Sequence, residues 1–283
     1  MRALISAEFF VAKKYRESAM PLSQSALITK LNTYAPLTSE EIASLTEVQS
    51  KPIVVRRGKE LFHEGQHGQM VFIVQRGWAS SYKDVPDGGR QIINFAIPGD
   101  CVGLRSVLLK ESDHAFSALT DSTLRTIDAV RMTQLFEDFP RLRAGFLWSA
   151  ARDEAMALEH LVGIGRRSAI SRVAHFFLEL AERLTLVGLA TETQFHCPLN
   201  QYVLGDALGL SAIHVNRVLR GLRERGLLTV KSGVVLIHDL QGLGEIANYH
   251  SLNPRSQVSG SSQTGPPTQS LPTARLPNTR SDN

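Results

Sequence analysis

Between Asn200 and Ile237 the chain reads NQYVLGDALGLSAIHVNRVLRGLRERGLLTVKSGVVLI, and this stretch leaves few folds open. Asn200 is a good helix cap, and residues 201–208 make two turns with Val203, Leu204 and Leu208 facing inward. Gly209 ends that helix, because the sharp turn needs a left-handed residue. Leu210 plugs the corner, Ser211 caps a second helix over residues 212–225, and Gly226 ends it. Two helices joined by a short glycine-containing turn make a helix-turn-helix. On the second helix Val215, Val218, Leu219 and Leu222 face inward, while His214, Asn216, Arg217 and Arg220 lie on polar surface.

In such a motif the N-terminal residues of the second helix reach base edges in the major groove. Arg217 has the two donors that guanine accepts, and Asn216 suits adenine. Ser211 and the helix N-terminus suit a phosphate. Any solvated helix also carries Arg and Asn, so the flanks must decide. Residues 228–231, the pair Ser232-Gly233 and residues 234–237 form a two-residue hairpin, a wing with Lys231 near its tip, where a backbone phosphate is met. The net charge of +4 is too weak to argue from, but its distribution is not. Residues 164–231 hold nine Lys/Arg against five Asp/Glu, and residues 212–225 hold four Arg against one Glu. Helix-turn-helix, wing and local arginine excess together predict double-stranded DNA as a partner.

The region upstream has a different texture. Residues 21–50 read as short helices, with Thr38 and Glu41 spaced as a capping box. Eight glycines fall between Gly58 and Gly103, separating short β-branched and aromatic runs at 70–74 and 91–97; a further alternating run follows at 123–127. Pro86-Asp87-Gly88-Gly89 is a hairpin turn. Many short strands predict an antiparallel sandwich or roll, with no room for the helices of a parallel sheet. Residues 131–163 turn helical, with Pro140 in a first turn. A 3.5-residue period picks out Leu147, Ala150, Glu154, Ala157, Leu161 and Ile164, either a coiled-coil-like seam between two copies or an ordinary core face. Gly163-Ile164-Gly165 reads as a break and hinge, and Ser168 as the cap of a helix carrying Ile170, Val173, Ala174, Phe177, Leu178 and Ala181 inward.

The ends and the cysteines exclude more than they assign. Residues 1–20 read as an extension rather than a signal peptide, since Glu8 interrupts the apolar run, and either Met1 or Met20 serves as the start. Residues 251–283, rich in Pro, Ser, Thr and Gln, read as a disordered tail. No apolar run reaches membrane-spanning length. Two cysteines, Cys101 and Cys197, build neither a disulfide framework nor a cysteine-rich zinc site, and they fit a cytoplasmic chain. No P-loop, G-x-S-x-G, H-E-x-x-H or dinucleotide fingerprint appears, so the sequence argues against an enzyme.

In this order of parts, with its spaced glycines from Gly58 to Gly77, Pro98-Gly99-Asp100 before Gly103, Leu208-Gly209-Leu210-Ser211 and His214-Val215-Asn216-Arg217, the chain resembles the Crp/Fnr family of bacterial transcription regulators over about residues 30–245. The resemblance implies an α+β chain: an N-terminal antiparallel β-roll like a cyclic-nucleotide-binding domain, a long dimerisation helix, and a C-terminal winged helix-turn-helix. The divisions expected are an extension at 1–30, a sensor roll at 31–135, dimerisation helix and hinge at 136–164, a DNA-binding domain at 165–245 and the tail at 251–283. It further implies a homodimer on a near-palindromic site, with RNA polymerase as a second partner.

The departures from the family limit the effector. Members that bind cyclic nucleotides hold the ribose with Glu in a Gly-Glu-Leu turn and the phosphate with an Arg-Ser pair. Here the turn reads Gly103-Leu104-Arg105-Ser106, and His114-Ala115 stands at the pair, so cyclic AMP is not expected. Gly103, Leu104, Arg105, Ser106, His114 and Ser117 outline the possible effector pocket, in which Arg105 or His114 offers the remaining anion donors. No cysteine precedes Cys101, which excludes the family's N-terminal iron–sulfur cluster. No cofactor and no metal site is expected, His63, His67 and His114 having no ligand spacing. The alternative reading is a sensing module for an unidentified small molecule, redox signal or protein partner. Cys101 and Cys197 serve as redox switches only if exposed and activated.

Overall fold

The computed structural model describes residues 25–67 and 70–251. The expectations for residues 1–20 and for the tail beyond residue 251 lie outside them.

Two helices come first, α1 (Ala26–Tyr34) and α2 (Ser39–Glu47). The capping box at Thr38 is present: its side chain accepts from the Glu41 N–H, and the Glu41 carboxylate accepts from the Thr38 N–H at 2.7 Å. Helix α1 runs across residue 31, the expected start of the sensor roll, and buries Ala26, Leu27, Ile28 and Leu31. Leu27, Ile28 and Leu31 pack with Val71, Ile73 and Ile127 of the roll.

Eight antiparallel strands then form two four-stranded sheets. One orders β1 (Ile53–Val55), β8 (Ser122–Asp128), β3 (Met70–Arg76) and β6 (Cys101–Val102). The other orders β2 (Glu60–Phe62), β7 (Ala115–Ala118), β4 (Ala79–Asp84) and β5 (Arg90–Ala96). One face of each sheet turns inward, and a common core of Val55, Phe62, Val74, Ala96, Phe116 and Leu124 joins the sheets. The turn at residues 85–89 links β4 to β5 as expected, closed by the Val85 N–H to the Gly89 carbonyl at 2.9 Å. Helices α3 (Leu104–Leu109), α4 (Ala129–Asp138) and the long α5 (Pro140–Arg166) complete this half.

Helix α5 corrects one expectation. It does not break at Gly163-Ile164-Gly165 but continues to Arg166, and the chain leaves the helix at Arg167. An isolated glycine costs a helix only about 1 kcal/mol. Here the Arg167 N–H donates to the Gly163 carbonyl and the Arg172 guanidinium to the Ile164 carbonyl, which hold the last turn. Ser168 caps α6 (Ala169–Leu186), whose Val173, Ala174, Phe177, Leu178 and Ala181 are buried as the spacing predicts.

The C-terminal half adds β9 (Gln194–His196), α7 (Gln201–Leu208), α8 (Ala212–Glu224), β10 (Leu228–Lys231), β11 (Val234–Ile237) and α9 (Leu240–Ala247). The wing is three-stranded in the order β10-β11-β9, one strand more than the sequence suggested. Phe176 of α6 meets Phe95 of β5 edge-on at 5.6 Å, so one apolar core runs from the roll into the helix-turn-helix.

Within that motif a glycine inside a helix proves as important as the one at the turn. A Cβ on Gly205 would stand 2.5 Å from the Leu210 carbonyl oxygen, while the Gly205 carbonyl itself accepts from the N–H groups of Gly209 and Leu210. Gly205→Ala is expected to destabilise the chain by about 1–3 kcal/mol, because backbone must shift to admit the methyl. Gly221→Ala, with open space around its Cβ, is expected to be neutral or stabilising. Urea unfolding of both variants checks this, and equal stability for the two would contradict the close approach.

Candidate nucleic-acid interface

The caps that the sequence suggested set the geometry of the two helices. The Asn200 side chain accepts from the N–H groups of Tyr202 and Val203, each at 3.0 Å, and starts α7. Gly209 takes φ 62° at the turn. Ser211 Oγ accepts from the His214 N–H at 3.2 Å and starts α8. Val215, Val218 and Leu222 bury one face of α8, with Leu219 partly buried at its margin. The opposite face presents Ile213, Asn216, Arg217 and Arg220, all exposed, with His214 half-buried. Among the described residues Arg217, Arg220, Arg223, Arg225 and Lys231 form no ion pair, so this face keeps its positive charge available to an outside anion.

The wing tip turns through Ser232 (φ 52°) and Gly233 (φ 75°), the paired left-handed conformation of a tight two-residue hairpin. Lys231 lies exposed directly before it, opposite Val234. Tyr202, exposed on the first turn of α7, is a second polar-tipped group on the motif that sequence reasoning did not single out.

The seam positions also have a definite setting. Leu147, Ala150, Glu154, Ala157, Leu161 and Ile164 are all exposed, Leu147 at 58% and Leu161 at 66%. The core face of α5 is a different one, made by Leu142, Gly145, Phe146, Ser149, Arg152 and Met156. Leu158 and Val162 extend the exposed apolar surface.

At the expected effector positions the donors are already engaged. Gly103 leads into α3, Leu104 is half-buried, and Ser106 and Ser117 are buried. Arg105 pairs with Asp113 at 3.1 Å, and Asp113 also meets His114 Nδ1 at 2.8 Å. Burial pushes the Asp113 carboxyl up, but the bond to His114 and the charge of Arg105 outweigh it and hold it below its usual value. His114 is buried edge-on against Phe62, which stacks in turn with Phe72 and Phe116. A cleft lined by Ile93, His160, Arg167, Arg172, His175 and Ala207 lies elsewhere, among β5, α5, α6 and α7, and none of the six expected positions lines it.

Cys197 is buried and Cys101 partly so, and burial pushes each thiol up to about 12, so neither is a thiolate near neutral pH. Among the described residues no three His, Cys, Asp or Glu side chains converge as metal ligands.

One constellation was not legible from sequence. Asp100, three residues before Gly103, accepts from Lys30 Nζ at 2.9 Å, from Arg183 Nη2 at 2.7 Å and from the Ile97 N–H at 2.9 Å. Arg183, on α6, also donates to the Phe95 carbonyl at 2.6 Å and pairs with Glu179, which meets His160 at 2.7 Å. All of these but His160 are buried, and the network ties α1, the roll, α5 and α6 together. Burial pushes the Asp100 carboxyl up, but Lys30 and Arg183 overcome it and bring it down to about 2.

A strand-rich roll joined through a long helix to a winged helix-turn-helix is the build of a DNA-binding transcription regulator. The family model for the cyclic nucleotide-binding domain matches residues 52–139, and that for the Crp-like helix-turn-helix domain matches residues 171–246. The nitrogen fixation regulation protein FixK of Azorhizobium caulinodans is 31% identical over 206 residues, covering 71% of this chain and 81% of that protein. The transcriptional activator protein Anr of Pseudomonas aeruginosa is 26% identical over 203 residues, covering 72% and 83%. The solved structure of FixK2 from Bradyrhizobium japonicum aligns with a TM-score of 0.64 at 27% identity, over 71% of this chain and 98% of that one. The chain belongs to the Crp/Fnr family and is a DNA-binding transcription regulator of that type. Among the described residues no helix is long and apolar enough to cross a membrane.

Proposed function

We propose that two copies pair along the exposed seam of α5, through Leu147, Ala150, Ala157, Leu161 and Ile164 with Glu154 at the interface, and that the homodimer reads a near-palindromic site. The single observation that carries this is the outward face of α8: Asn216, Arg217 and Arg220 exposed on a helix whose N-terminus Ser211 caps, with arginine charges left unpaired among the described residues. Two such helices enter successive major grooves about 34 Å apart. Arg217 and Asn216 read bases, with His214 beside them. Ser211, Arg220 and Lys231 hold phosphates and fix the register. The bound dimer acts on RNA polymerase, in the cytoplasm, and the chain has no enzymatic activity of its own.

The roll is not a cyclic AMP receptor in this reading. Arg105 and His114, the two groups left to meet a phosphate, both bond to Asp113, and a buried phosphate without its own cation is costly. Neither an iron–sulfur cluster nor a metal controls the chain. A second reading, that the roll senses another signal, draws on the Asp100–Arg183 bond, since a shift of the turn at Gly103 would strain a contact with the first helix of the DNA-binding half.

Selection of bound sequences from random duplex DNA, with no ligand and at physiological salt, tests the reading. A two-fold-symmetric site with half-sites one helical turn apart is the expected product; no enrichment from a folded dimer overturns DNA reading by the unliganded chain. On that site Lys231→Ala is expected to weaken all sequences alike. It should also flatten the salt dependence by about 0.9 per phosphate lost, or about 1.8 for two wings. A loss confined to particular sequences would reassign Lys231 to base reading.

A further inference from the structure

The outward face of α8 holds one residue that the polar reading scheme leaves unused. Ile213, the second residue of the helix, is 82% exposed and takes no part in the apolar cores. Residues at i, i+3, i+4 and i+7 share one helix face, so Ile213 stands in a single row with Asn216, Arg217 and Arg220. It contributes nothing to folding there, and a branched apolar side chain held in water gains free energy only when something covers it. Its β-branched side chain is stiff, so little rotamer freedom is lost on contact. In the major groove the apolar group available to cover it is the C5 methyl of thymine.

We propose that Ile213 is a specificity-determining residue that packs against the C5 methyl of one thymine in each half-site. The inference rests on the DNA reading given above. Four residues at a rise of about 1.5 Å place Ile213 roughly 6 Å from Arg217 along the helix. That distance is about two base-pair steps. The thymine therefore lies within about two base pairs of the base that Arg217 reads.

The test uses the full chain and the duplex recovered by selection. Each thymine is replaced in turn by deoxyuridine, which removes the methyl and keeps every hydrogen-bonding group. Affinities are measured for the natural chain, Ile213→Val and Ile213→Ala. One thymine per half-site is expected to be sensitive, with binding weakened about fourfold on one substitution and about fifteenfold when both half-sites are changed, as for one buried methyl each. Ile213→Val keeps most of this sensitivity; Ile213→Ala binds the thymine site more weakly and no longer distinguishes uracil. A selected site on which no methyl matters overturns the inference alone, as does an Ile213→Ala variant that still senses the methyl. A chain that selects no site overturns the DNA reading and the inference with it.

Discussion

Replacing Arg183 by methionine is expected to cost about 3 kcal/mol or more of folding stability, the toll for removing one partner of a buried ion pair. Asp100 would keep Lys30 but lose a bond of 2.7 Å, and the Phe95 carbonyl would lose a donor at 2.6 Å. Methionine preserves the length and apolar contacts of the side chain, so the loss reports on charge rather than volume. The double variant Arg183→Met with Asp100→Asn is expected to cost less than the sum of the two single variants, because the bond between the two groups is lost only once. Urea unfolding of the single and double variants closes the cycle; strict additivity would mean the two groups are not coupled. The pH dependence has a fixed sign. The Asp100 carboxyl is lowered to about 2 in the folded chain, from an ordinary value near 3.8. Its contribution is therefore complete above about pH 4 and lost as pH falls through about 2. Asp100→Asn should lose this acid sensitivity, and Arg183→Met, which keeps Lys30 beside Asp100, should lose part of it. Since Arg183 sits on α6 and bonds to Phe95 and Asp100 of the roll, the same substitution is expected to loosen the two halves before either unfolds.

What the sequence made legible was local. The helix-turn-helix could be read because each of its signals lies within a few residues of what it controls: Asn200 and Ser211 cap the helices they precede, and Gly209 turns where it stands. The strands of the roll were readable because alternation and glycine spacing are also local. The ion network was not, for Lys30, Asp100 and Arg183 are separated by 70 and 83 residues and each reads alone as an ordinary surface charge. Gly205 reads as one more residue of a helical pattern, and only the returning Leu210 carbonyl makes a side chain costly there. The short strand Gln194–His196 carries no alternation long enough to see; pairing with Val234–Leu236 creates it. The hinge expected at Gly163-Ile164-Gly165 failed for the converse reason. A weak local preference yielded to tertiary contacts from Arg172.

Arg217→Ala is expected to have the largest effect on function. A bidentate arginine–guanine contact is worth about 1–3 kcal/mol, so a dimer that loses two should lose about 2–6 kcal/mol, at least roughly 30-fold in affinity. The variant should fold normally, because Arg217 is exposed and bonded to nothing among the described residues, while the buried face of α8 is made by Val215, Val218 and Leu222. The loss alone does not distinguish base reading from phosphate binding; Arg217→Lys does. Lysine keeps the charge and gives up the planar pair of donors. If Arg217 reads guanine, both variants relax the preference at one symmetric position, and lysine restores little of the discrimination. If it only meets a phosphate, lysine restores most of the affinity and the selected sequence does not change. Repeating the selection with each variant separates the two. An Arg217→Ala chain with unchanged affinity and unchanged preference would show that α8 does not enter the groove by its N-terminal turns. Arg220 sits three residues further along the same face and outside the first turns, so its removal should lower affinity without altering the site. That contrast between neighbouring arginines is what a helix held N-terminus first in the groove requires, since distance from the cap at Ser211 then decides which side chain meets a base and which meets the backbone.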